Sequence, residues 1–426
     1  MTIKAIHSLF LECSTVSTDT RKIEEDCFFI ALKGDNFDAN TFAKEALEKG
    51  AKYVVIDNPD FYIDDRTILV ADSLGYLQEL AKYHRTNLAL PIIALTGSNG
   101  KTTTKELINV VLSKRYNTIA TIGNLNNHIG VPLTILRFTK DTEIGIVEMG
   151  ANHQKEIEML CAIAQPDYGY ITNFGKAHLE GFGGTEGVIK GKSEMYDYLQ
   201  KNNKLAFINL DDAIQNEKSE HLNKYTFSTT QSADVVINHV EANPMVRIEY
   251  KALQIQSNLI GIYNANNINA AITIGTYFEV ADEAIKEAIE NYIPENNRSQ
   301  LIEKNDNEII LDAYNANPSS MQAAISNFIQ LAHANKVAIL GDMFELGIES
   351  IEEHRKIVAS VQIEETIKTF FIGHDFYANK IASAHILFFE DFNSFATYFV
   401  AHKPSHSLLL IKGSRGMALE KTLDIL

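Results

Sequence analysis

The residues whose types and spacing most clearly indicate chemistry form a short loop with two glycines. The loop follows an apolar run, Ile92–Thr96, that predicts a buried strand, and it leads into an amphipathic pattern over residues 101–114 that predicts a helix. Backbone N–H groups at a helix start attract anions, and glycines let the backbone approach phosphate oxygens closely. Lys101 could neutralise the β- and γ-phosphates, and Thr102 could ligate Mg²⁺. We therefore predict an ATP site formed by Gly97, Ser98, Asn99, Gly100, Lys101, Thr102 and Thr103.

The loop departs from the strict phosphate-loop pattern at one position. That pattern has a glycine five residues before Gly100, where this chain has Leu95, so the match is to a shortened variant that begins at Gly97. The alternative is an ordinary glycine turn with a solvated lysine. The strand before the loop and the Lys-Thr-Thr start of the helix after it favour the phosphate site. We expect Lys101 to face solvent while no nucleotide is bound.

Two further polar side chains are predicted to lie at the same edge of a sheet. Residues 144–149 and 168–172 are apolar runs that predict strands; Glu148 lies near the end of the first run, and His178 follows the second. The carboxyl ends of parallel strands border one crevice, beside the phosphate loop. Glu148 there suits Mg²⁺, although an acid buried among backbone donors is the alternative. A lone histidine is more often structural, but this location favours a metal ligand for His178.

The elements that position these side chains indicate three α/β domains. Apolar strands alternate with helical stretches after residue 92 and again after Arg298, a rhythm typical of parallel sheets wound by helices. We predict an N-terminal α/β domain, a central sheet of the P-loop ATPase type and a C-terminal Rossmann-like domain. Residues 87–91 are predicted to be a linker and residues 233–260 to be β-rich. The three domains are placed at residues 1–88, 89–297 and 298–426.

Composition narrows the classes of function. A net charge of −17, from 38 basic and 55 acidic residues, disfavours non-specific contact with nucleic acid or anionic membranes. No run approaches the ~20 apolar residues of a membrane span. The three cysteines, at positions 13, 27 and 161, form neither a metal-ligand spacing nor a disulfide framework. We expect a cytoplasmic enzyme with small-molecule substrates that acts as a monomer.

Motifs along the whole chain resemble those of the Mur ligases of peptidoglycan assembly. The phosphate loop, which folylpolyglutamate synthases share, is joined by residues 148–153 and 173–180 and by a Lys-Gly-Lys-Ser-Glu segment at residues 190–194. Residues 312–321 discriminate best, because they match the member that adds D-alanyl-D-alanine. The Asn-Pro-Arg motif of the member that adds diaminopimelate or lysine is absent. The resemblance therefore points to a dipeptide acceptor.

The resemblance also implies roles that residue types alone leave open. A helical lysine is by itself most often solvated, but the carbamylated lysine of the family corresponds to Lys192 rather than Lys190. The family's nucleotide contacts fall on Asn264, Asn267, Arg298 and Asp312. The incoming dipeptide would be held by Asn315, Asn317, Lys412 and Arg415. Capping of a helix by Asn264 and a plain glycine turn at residues 412–416 are the alternatives.

The N-terminal domain would hold the UDP-linked substrate. Asp19, Thr20 and Arg21 resemble the family's Asp-Ser-Arg, with Thr20 in place of serine. At residues 39–41 this chain has Ala-Asn-Thr where the family usually has Asp-Gly-His. The way in which the uridine nucleotide is held therefore departs from the family pattern.

The implied reaction is an ATP-dependent amide ligation. ATP would phosphorylate the terminal carboxylate of UDP-N-acetylmuramoyl-tripeptide, and the amine of D-alanyl-D-alanine would attack the acyl phosphate, completing the pentapeptide precursor of the cell wall. Lys101 would stabilise the transferring phosphoryl group. Two Mg²⁺ ions would be held by Thr102, Glu148, His178 and carbamylated Lys192, and the last three join Lys101 as the expected catalytic residues.

Three other functions are less consistent with the sequence. A folylpolyglutamate-type ligase would have neither a separate N-terminal domain nor the motif at residues 312–321. A P-loop GTPase or kinase with added modules would be expected to show an Asn/Thr-Lys-x-Asp base-reading motif, which is absent after the fourth strand. A protein that binds a nucleotide without catalysing a reaction would not need all four candidate metal ligands, which are Thr102, Glu148, His178 and Lys192.

Overall fold

Three sheets of four or more strands follow one another along the chain. The computed structural model describes residues 1–295 and 297–426, and the sheets have four, nine and six strands. Most neighbouring strands are parallel, which confirms the expected α/β class. Each sheet lies within one of the ranges 1–88, 89–297 and 298–426, and those exact boundaries stay a prediction. Within the described residues, no helix combines the length and apolar character that a membrane crossing requires.

The first sheet is small and parallel. Its helices are α1 Ile3–Phe10, α2 Ala43–Glu48 and α3 Ser73–Leu88. Its strands, with a separate hairpin formed by the third and fourth, are β1 Val16–Ser17, β2 Cys27–Ile30, β3 Lys33–Gly34, β4 Phe37–Asp38, β5 Ala51–Ile56 and β6 Thr67–Leu69. The sheet order is β1-β2-β5-β6. Every side chain of β2 is buried, so both faces of this sheet are covered.

Helix α3 extends into the residues predicted to be a linker. The prediction of a linker at residues 87–91 is wrong for its first two residues, because the helix continues to Leu88. The helix ends where Ala89 adopts a left-handed conformation (φ 51°). The Arg85 guanidinium fixes this helix end, since its Nη2 lies 2.7 Å from Asp167 Oδ2 beside the central sheet. The connection between the first two sheets is therefore short and packed.

The central sheet has nine strands, most of them parallel. Its helices are α4 Lys101–Leu112, α5 Gly130–Ile135, α6 Glu156–Ala164, α7 Leu179–Phe182, α8 Thr185–Lys201, α9 Ala213–Lys218, α10 Ala265–Tyr277 and α11 Asp282–Asn291. Its strands are β7 Ile92–Thr96, β8 Thr118–Ala120, β9 Ile144–Glu148, β10 Tyr168–Ile171, β11 Leu205–Asn209, β12 Asn223–Ser228, β13 Val235–Ala242, β14 Met245–Tyr250 and β15 Leu253–Ile260. The order is β15-β14-β13-β12-β11-β10-β7-β9-β8, and only β13-β14-β15 pair in antiparallel fashion.

The fully buried strand β7 lies between β9 and β10 and determines where the chemistry takes place. All three strands are parallel, so their carboxyl ends meet at one edge. That edge receives the loop after β7, Glu148 at the end of β9, and the segment after β10 that leads to His178. The expected position of these side chains at one sheet edge is therefore confirmed.

The last sheet has six strands. Its helices are α12 Pro318–Gln330, α13 Ser350–Gln362, α14 His374–Ala378, α15 Phe392–Ala401 and α16 Thr422–Ile425. Its strands are β16 Gln300–Lys304, β17 Asn307–Asp312, β18 Lys336–Gly341, β19 Ile367–Ile372, β20 Ile386–Phe389 and β21 Leu408–Lys412. The order is β16-β17-β21-β18-β19-β20, with β16 as an antiparallel edge strand. The carboxyl ends of β17, β18 and β21 bring Asp312, the loop after Gly341 and Lys412 to one edge.

The contact of Arg85 with Asp167 generates a stability prediction. Asp167→Ala should lower the free energy of unfolding by about 3 kcal/mol, because the Arg85 side chain is only 8% exposed and would be left without its carboxylate. Asp64→Ala, which breaks an exposed ion pair with Arg66, should cost less than about 1 kcal/mol. The chain has no tryptophan, so urea unfolding is followed by circular dichroism. Equal losses in the two variants would contradict this account of α3.

Candidate active site

The loop after β7 is held in shape by the segment that follows β10. Gly97 has φ 146°, and a Cβ there would lie 1.9 Å from Thr172 Oγ1, so only glycine fits. The Thr172 hydroxyl donates to the Asn99 carbonyl (2.6 Å), and the Ser98 N–H donates to the Asn173 carbonyl (3.0 Å). Thr172 and Asn173 were not among the predicted site residues. A polar pair directly after a buried strand was the signal that could have indicated them.

Lys101 does not face solvent, and that expectation is wrong. It is the first residue of α4 and is half-buried, and its Nζ donates to the carbonyls of Gly97 (2.8 Å) and Ser98 (3.3 Å). Burial lowers the pKa of Lys101, an effect that the nearby Glu148 carboxylate opposes. The ammonium group therefore satisfies two carbonyls of the loop that it follows.

Glu148 is buried with one oxygen satisfied and one free. Its side chain is 1% exposed; Oε1 accepts from Asn126 Nδ2 at 2.8 Å, and its own N–H donates to Thr121 Oγ1. Oε2 has no hydrogen-bond partner, and the nearest ammonium, Lys105 Nζ, is 3.9 Å away. The alternative, a buried acid whose carboxylate is satisfied by backbone donors, is therefore wrong for Glu148. A buried carboxylate oxygen without a partner is costly unless a cation occupies the adjacent space.

A cavity of about 760 Å³ brings most of the predicted site residues together. It extends from the loop after β7 to the carboxyl edge of the last sheet. The predicted residues that line it are Ser98, Asn99, Gly100, Lys101, Thr102, Thr103, Glu148, His178, Asn264, Asn267, Arg298, Asp312, Asn315, Asn317 and Lys412. Within the part of the chain that the structure describes, the other predicted site residues do not line the cavity; they are Gly97, Lys192, Arg415, Asp19, Thr20 and Arg21. The cavity therefore lies where the central and last sheets face each other.

Lys192 lies on α8 and is not among the residues that line the cavity. It is 1% exposed, and its Nζ lies 5.3 Å from the centre of the Phe182 ring. Burial, and then the charge of Lys101, hold the pKa of Lys192 well below its usual range. Lys190, two residues earlier on the same helix, is exposed. Only Lys192 of the two therefore has the buried environment that favours a neutral amine.

His178 is held by a residue that the sequence analysis did not identify. It adopts a left-handed conformation (φ 53°), and its Nδ1 is hydrogen-bonded to the carboxylate of Glu345, in the loop after β18. The hydrogen bond from His178 lowers the pKa of Glu345. The position of Glu345 beyond an apolar run was the only signal in the sequence, and it does not indicate a partner in another domain.

The two predicted asparagines at the start of α10 are hydrogen-bonded to each other and to α4. Asn267 Nδ2 donates to Asn264 Oδ1 (2.8 Å), and Asn267 Oδ1 accepts from Thr104 Oγ1 (3.0 Å). The Asn264 side chain makes no capping hydrogen bond, because its Oδ1 accepts from Asn267 Nδ2 rather than from a backbone N–H of the helix. The capping alternative for Asn264 is therefore wrong.

Residues of the last sheet pair with one another across the cavity edge. Lys412 Nζ lies 2.6 Å from Asp312 Oδ2 and 3.3 Å from the Asn315 carbonyl. The Arg298 guanidinium stacks 3.6 Å from the centre of the Tyr314 ring. These contacts place the expected ribose acid and an expected dipeptide ligand side by side.

Asn317 and Arg415 differ in how they relate to the cavity. Asn317 caps α12 through Ser320 and also donates from Nδ2 to Asn99 Oδ1 at 2.7 Å, which links the last sheet to the phosphate loop. Arg415 is exposed and pairs with Glu420 at 2.9 Å. Asn317 therefore lies at the cavity, whereas Arg415 lies outside its described lining, and a dipeptide contact stays a prediction for both residues.

The residues expected to bind the UDP-linked substrate lie on the first sheet's surface. Arg21 has a side chain that is 86% exposed and pairs with Asp19 at 2.8 Å. At the position where the sequence departs from the family pattern, Asn40 is buried and donates to Asp38 and Asp57. Asn40 therefore fixes the loops around it.

The fit of a metal ion can be judged from the free oxygen of Glu148. No group of three or more His, Cys, Asp or Glu that could hold a metal occurs in residues 1–295 or 297–426. The predicted set contains only one such carboxylate and one imidazole, and a hard cation prefers oxygen ligands. The free Glu148 oxygen and the buried Thr102 hydroxyl at the cavity wall fit such an ion.

Comparisons with known proteins agree with this geometry. The profile of the Mur ligase middle domain matches residues 95–275, and that of the Mur ligase, glutamate ligase domain matches residues 297–415. Over 421 residues the chain is 36% identical to UDP-N-acetylmuramoyl-tripeptide--D-alanyl-D-alanine ligase of Bacillus subtilis, covering 95% of this chain and 91% of that protein. The chain belongs to the Mur ligase family.

Other relatives and solved structures extend the match to the whole Mur ligase fold. The ligase of the same name from Escherichia coli is 33% identical and covers 96% of this chain and 93% of its own length. A crystal structure of MurF from Acinetobacter baumannii has a TM-score of 0.87 at 30% identity, with 99% and 98% covered. MurF from Thermotoga maritima in complex with ADP has a TM-score of 0.84 at 28% identity, with 98% and 97% covered. The family resemblance and the expected fold class are both confirmed.

The contact at Gly97 generates a prediction on nucleotide binding. Gly97→Ala should weaken ADP binding by ~5-fold or more, because the new Cβ would overlap Thr172 Oγ1 and the strain of about 1–3 kcal/mol would deform the loop. Gly34→Ala is the matched control, since nothing lies within 4 Å of its Cβ position. Isothermal titration calorimetry measures both. Unchanged binding by Gly97→Ala would show that this loop does not hold phosphates.

Proposed function

We propose that this chain uses ATP to join D-alanyl-D-alanine to UDP-N-acetylmuramoyl-tripeptide. The observation that carries the proposal is the full-length similarity to curated ligases named for that reaction, combined with the position of residues 312–321 at the cavity. ATP would activate the tripeptide carboxylate as an acyl phosphate, and the amine of the dipeptide would displace phosphate. The proposed location is the cytoplasm, and the proposed working unit is the monomer.

The loop after β7 would bind the nucleotide phosphates. Backbone N–H groups at the start of α4 donate toward an anion there, and the helix dipole adds to the attraction. Lys101 would release the carbonyls of Gly97 and Ser98 and turn its ammonium to the phosphate oxygens. The backbone donors are fixed before the reaction starts, so they stabilise the charge that develops on the transferring phosphoryl group, and Lys101 adds its charge once it has turned.

The residues that would hold Mg²⁺ are Thr102, Glu148, His178 and Lys192, the last as its carbamate. When bound, such ions neutralise phosphate charge and orient the transferring group. Glu148 supports this assignment through its buried free oxygen, and Asn126 fixes the orientation of the carboxylate. Carbamylation of Lys192 requires a neutral amine, and burial supplies that condition. In that step the amine nitrogen bonds to the carbon of CO₂ and releases one proton.

The remaining substrate groups would be divided between the outer segments. We assign the UDP group to residues 1–88, through Asp19, Thr20 and Arg21, and the dipeptide to residues 298–426. Asn315 and Lys412 support the second assignment because they line the cavity beside Asp312. A dipeptide carboxylate would compete with Asp312 for the Lys412 ammonium.

The substrate requirement is the direct test of this function. Phosphate release from ATP should need both UDP-N-acetylmuramoyl-tripeptide and D-alanyl-D-alanine, and single amino acids should not replace the dipeptide. Lys101→Ala should reduce kcat at least ~10²-fold, because the positive charge that its ammonium would bring to the phosphoryl group is lost. A coupled phosphate assay with mass detection of the product measures both effects. Turnover with a folate and glutamate at the same rate would overturn the assignment.

The buried lysine gives a second test. Lys192→Ala should lose most activity, and Lys192→Arg should not restore it, because arginine keeps a charge but cannot form the carbamate. Acetate or formate at high concentration should partly rescue Lys192→Ala by supplying the missing carboxylate. Lys190→Ala is the control and should stay close to the parent rate, since Lys190 is exposed.

Carbamylation can also be observed without turnover. Equilibration with ¹³C-labelled CO₂ should give a carbamate carbon signal in NMR that is absent from Lys192→Arg. A fully active Lys192→Arg enzyme, or the same signal in both proteins, would contradict the assignment.

A further inference from the structure

The hydrogen bond between His178 and Glu345 joins the central and last sheets at the cavity wall. His178 lines the cavity, and its side chain is 20% exposed, whereas Glu345 approaches it from the loop after β18. The backbone adds a second contact at the same place, because the Glu180 N–H donates to the Glu345 carbonyl at 3.2 Å. Both the carboxylate and the carbonyl of Glu345 are thus directed to the segment that carries His178.

The loop that presents Glu345 is fixed by hydrogen bonds at each preceding residue. Asp342 accepts from the backbone N–H groups of Asp375 (3.0 Å) and Phe376 (2.9 Å). The Met343 N–H donates to His354 Nε2 at 3.0 Å, and the Phe344 N–H donates to Ser414 Oγ at 2.9 Å. A loop held at consecutive residues by the body of its own domain is a rigid support for the next side chain.

The contact also determines which nitrogen of His178 carries a proton. The carboxylate of Glu345 can only accept, so Nδ1 must donate to it. In a neutral imidazole the other nitrogen, Nε2, is then the free acceptor. Carboxylates that hold one nitrogen of a histidine in this way fix the ring and make the opposite nitrogen a better ligand.

We propose that Glu345 is a positioning residue for His178, supplied by the last domain so that Nε2 of the imidazole is oriented and free for a cation at the phosphate site. This inference rests on the proposed function and adds a specific dependence to it. The His178 ring is held in this orientation only while the loop after β18 is docked against it. The domain that would bind the dipeptide therefore also completes the site that handles the nucleotide.

Other contacts across the same boundary allow docking and positioning to be separated. Lys176 Nζ lies 2.7 Å from Glu353 Oε1, and Glu353 keeps a second partner, Lys356, at 2.9 Å. Lys176→Gln therefore removes one contact between the domains without touching His178. Glu352 is exposed, forms an ion pair with Arg355, and provides a control for the loss of a surface carboxylate.

The first measurement is the Mg²⁺ dependence of phosphate release at saturating substrates. Glu345→Gln should raise the Mg²⁺ concentration for half-maximal rate by ~10-fold or more, with a smaller change in the rate at saturating Mg²⁺. Glu345→Asp should recover part of the difference, because it restores a carboxylate. Glu352→Gln and Lys176→Gln should retain the parent Mg²⁺ dependence. Unchanged Mg²⁺ dependence in Glu345→Gln would overturn the inference.

The second measurement does not require turnover. Long-range ¹H–¹⁵N NMR of the full chain, with the His178 signals assigned through His178→Gln, should show Nδ1 protonated in the parent. Glu345→Ala should shift the population toward the Nε2-protonated form, and Lys176→Gln should not. If the parent enzyme released no phosphate, the proposed function would be wrong. If the parent were active but its His178 signals were the same in Glu345→Ala, only the positioning role of Glu345 would be contradicted. Urea unfolding verifies that the variants fold, as expected for a carboxylate that is 52% exposed.

Discussion

The close approach of two neighbouring strand ends, β7 and β10, is the constraint on which the rest of the site depends. Because Gly97 has no side chain, Thr172 can lie against the loop and bind the Asn99 carbonyl. Asn99 in turn accepts from Asn317 of the last sheet. The contact between Gly97, Thr172 and Asn99 therefore shapes the phosphate loop. It lies where the segment that leads to His178 begins, and Asn99 also binds the last domain.

Charge in the cavity is balanced largely by pairing of groups at its wall. Lys412 with Asp312, His178 with Glu345, and Lys101 with loop carbonyls each satisfy a polar group that a substrate would otherwise meet. Glu148 differs from these groups, because one of its oxygens is buried without a hydrogen-bond partner. Substrate binding then exchanges existing partners for new ones, which limits the desolvation cost of placing several charges together.

The sequence predicted the elements that carry a strong local pattern. Strand β7, the start of α4 and the position of Glu148 at a sheet edge follow from apolar runs and glycine spacing, and all three were found. Strands β8 and β12 were missed, because β8 has three half-buried residues and β12 begins with polar ones, so neither shows an apolar run. Asn264 could cap a helix by type, but its side-chain oxygen accepts from Asn267 Nδ2 instead of from a backbone N–H. Residue type alone also favoured a solvated Lys192. Glu345 could not be predicted, since its partner is 167 residues away and depends on how two sheets dock.

The packed end of α3 has a consequence for how the chain can be divided. A fragment cut at residue 89 would lose Arg85 and leave Asp167 facing water beside Lys204, its one remaining cationic neighbour. It would also uncover the surfaces of α5 and α6 against which α3 packs. A chimaera that exchanges the N-terminal segment with that of a relative should therefore have its junction before Ser73, so that α3 remains with the helices α5 and α6.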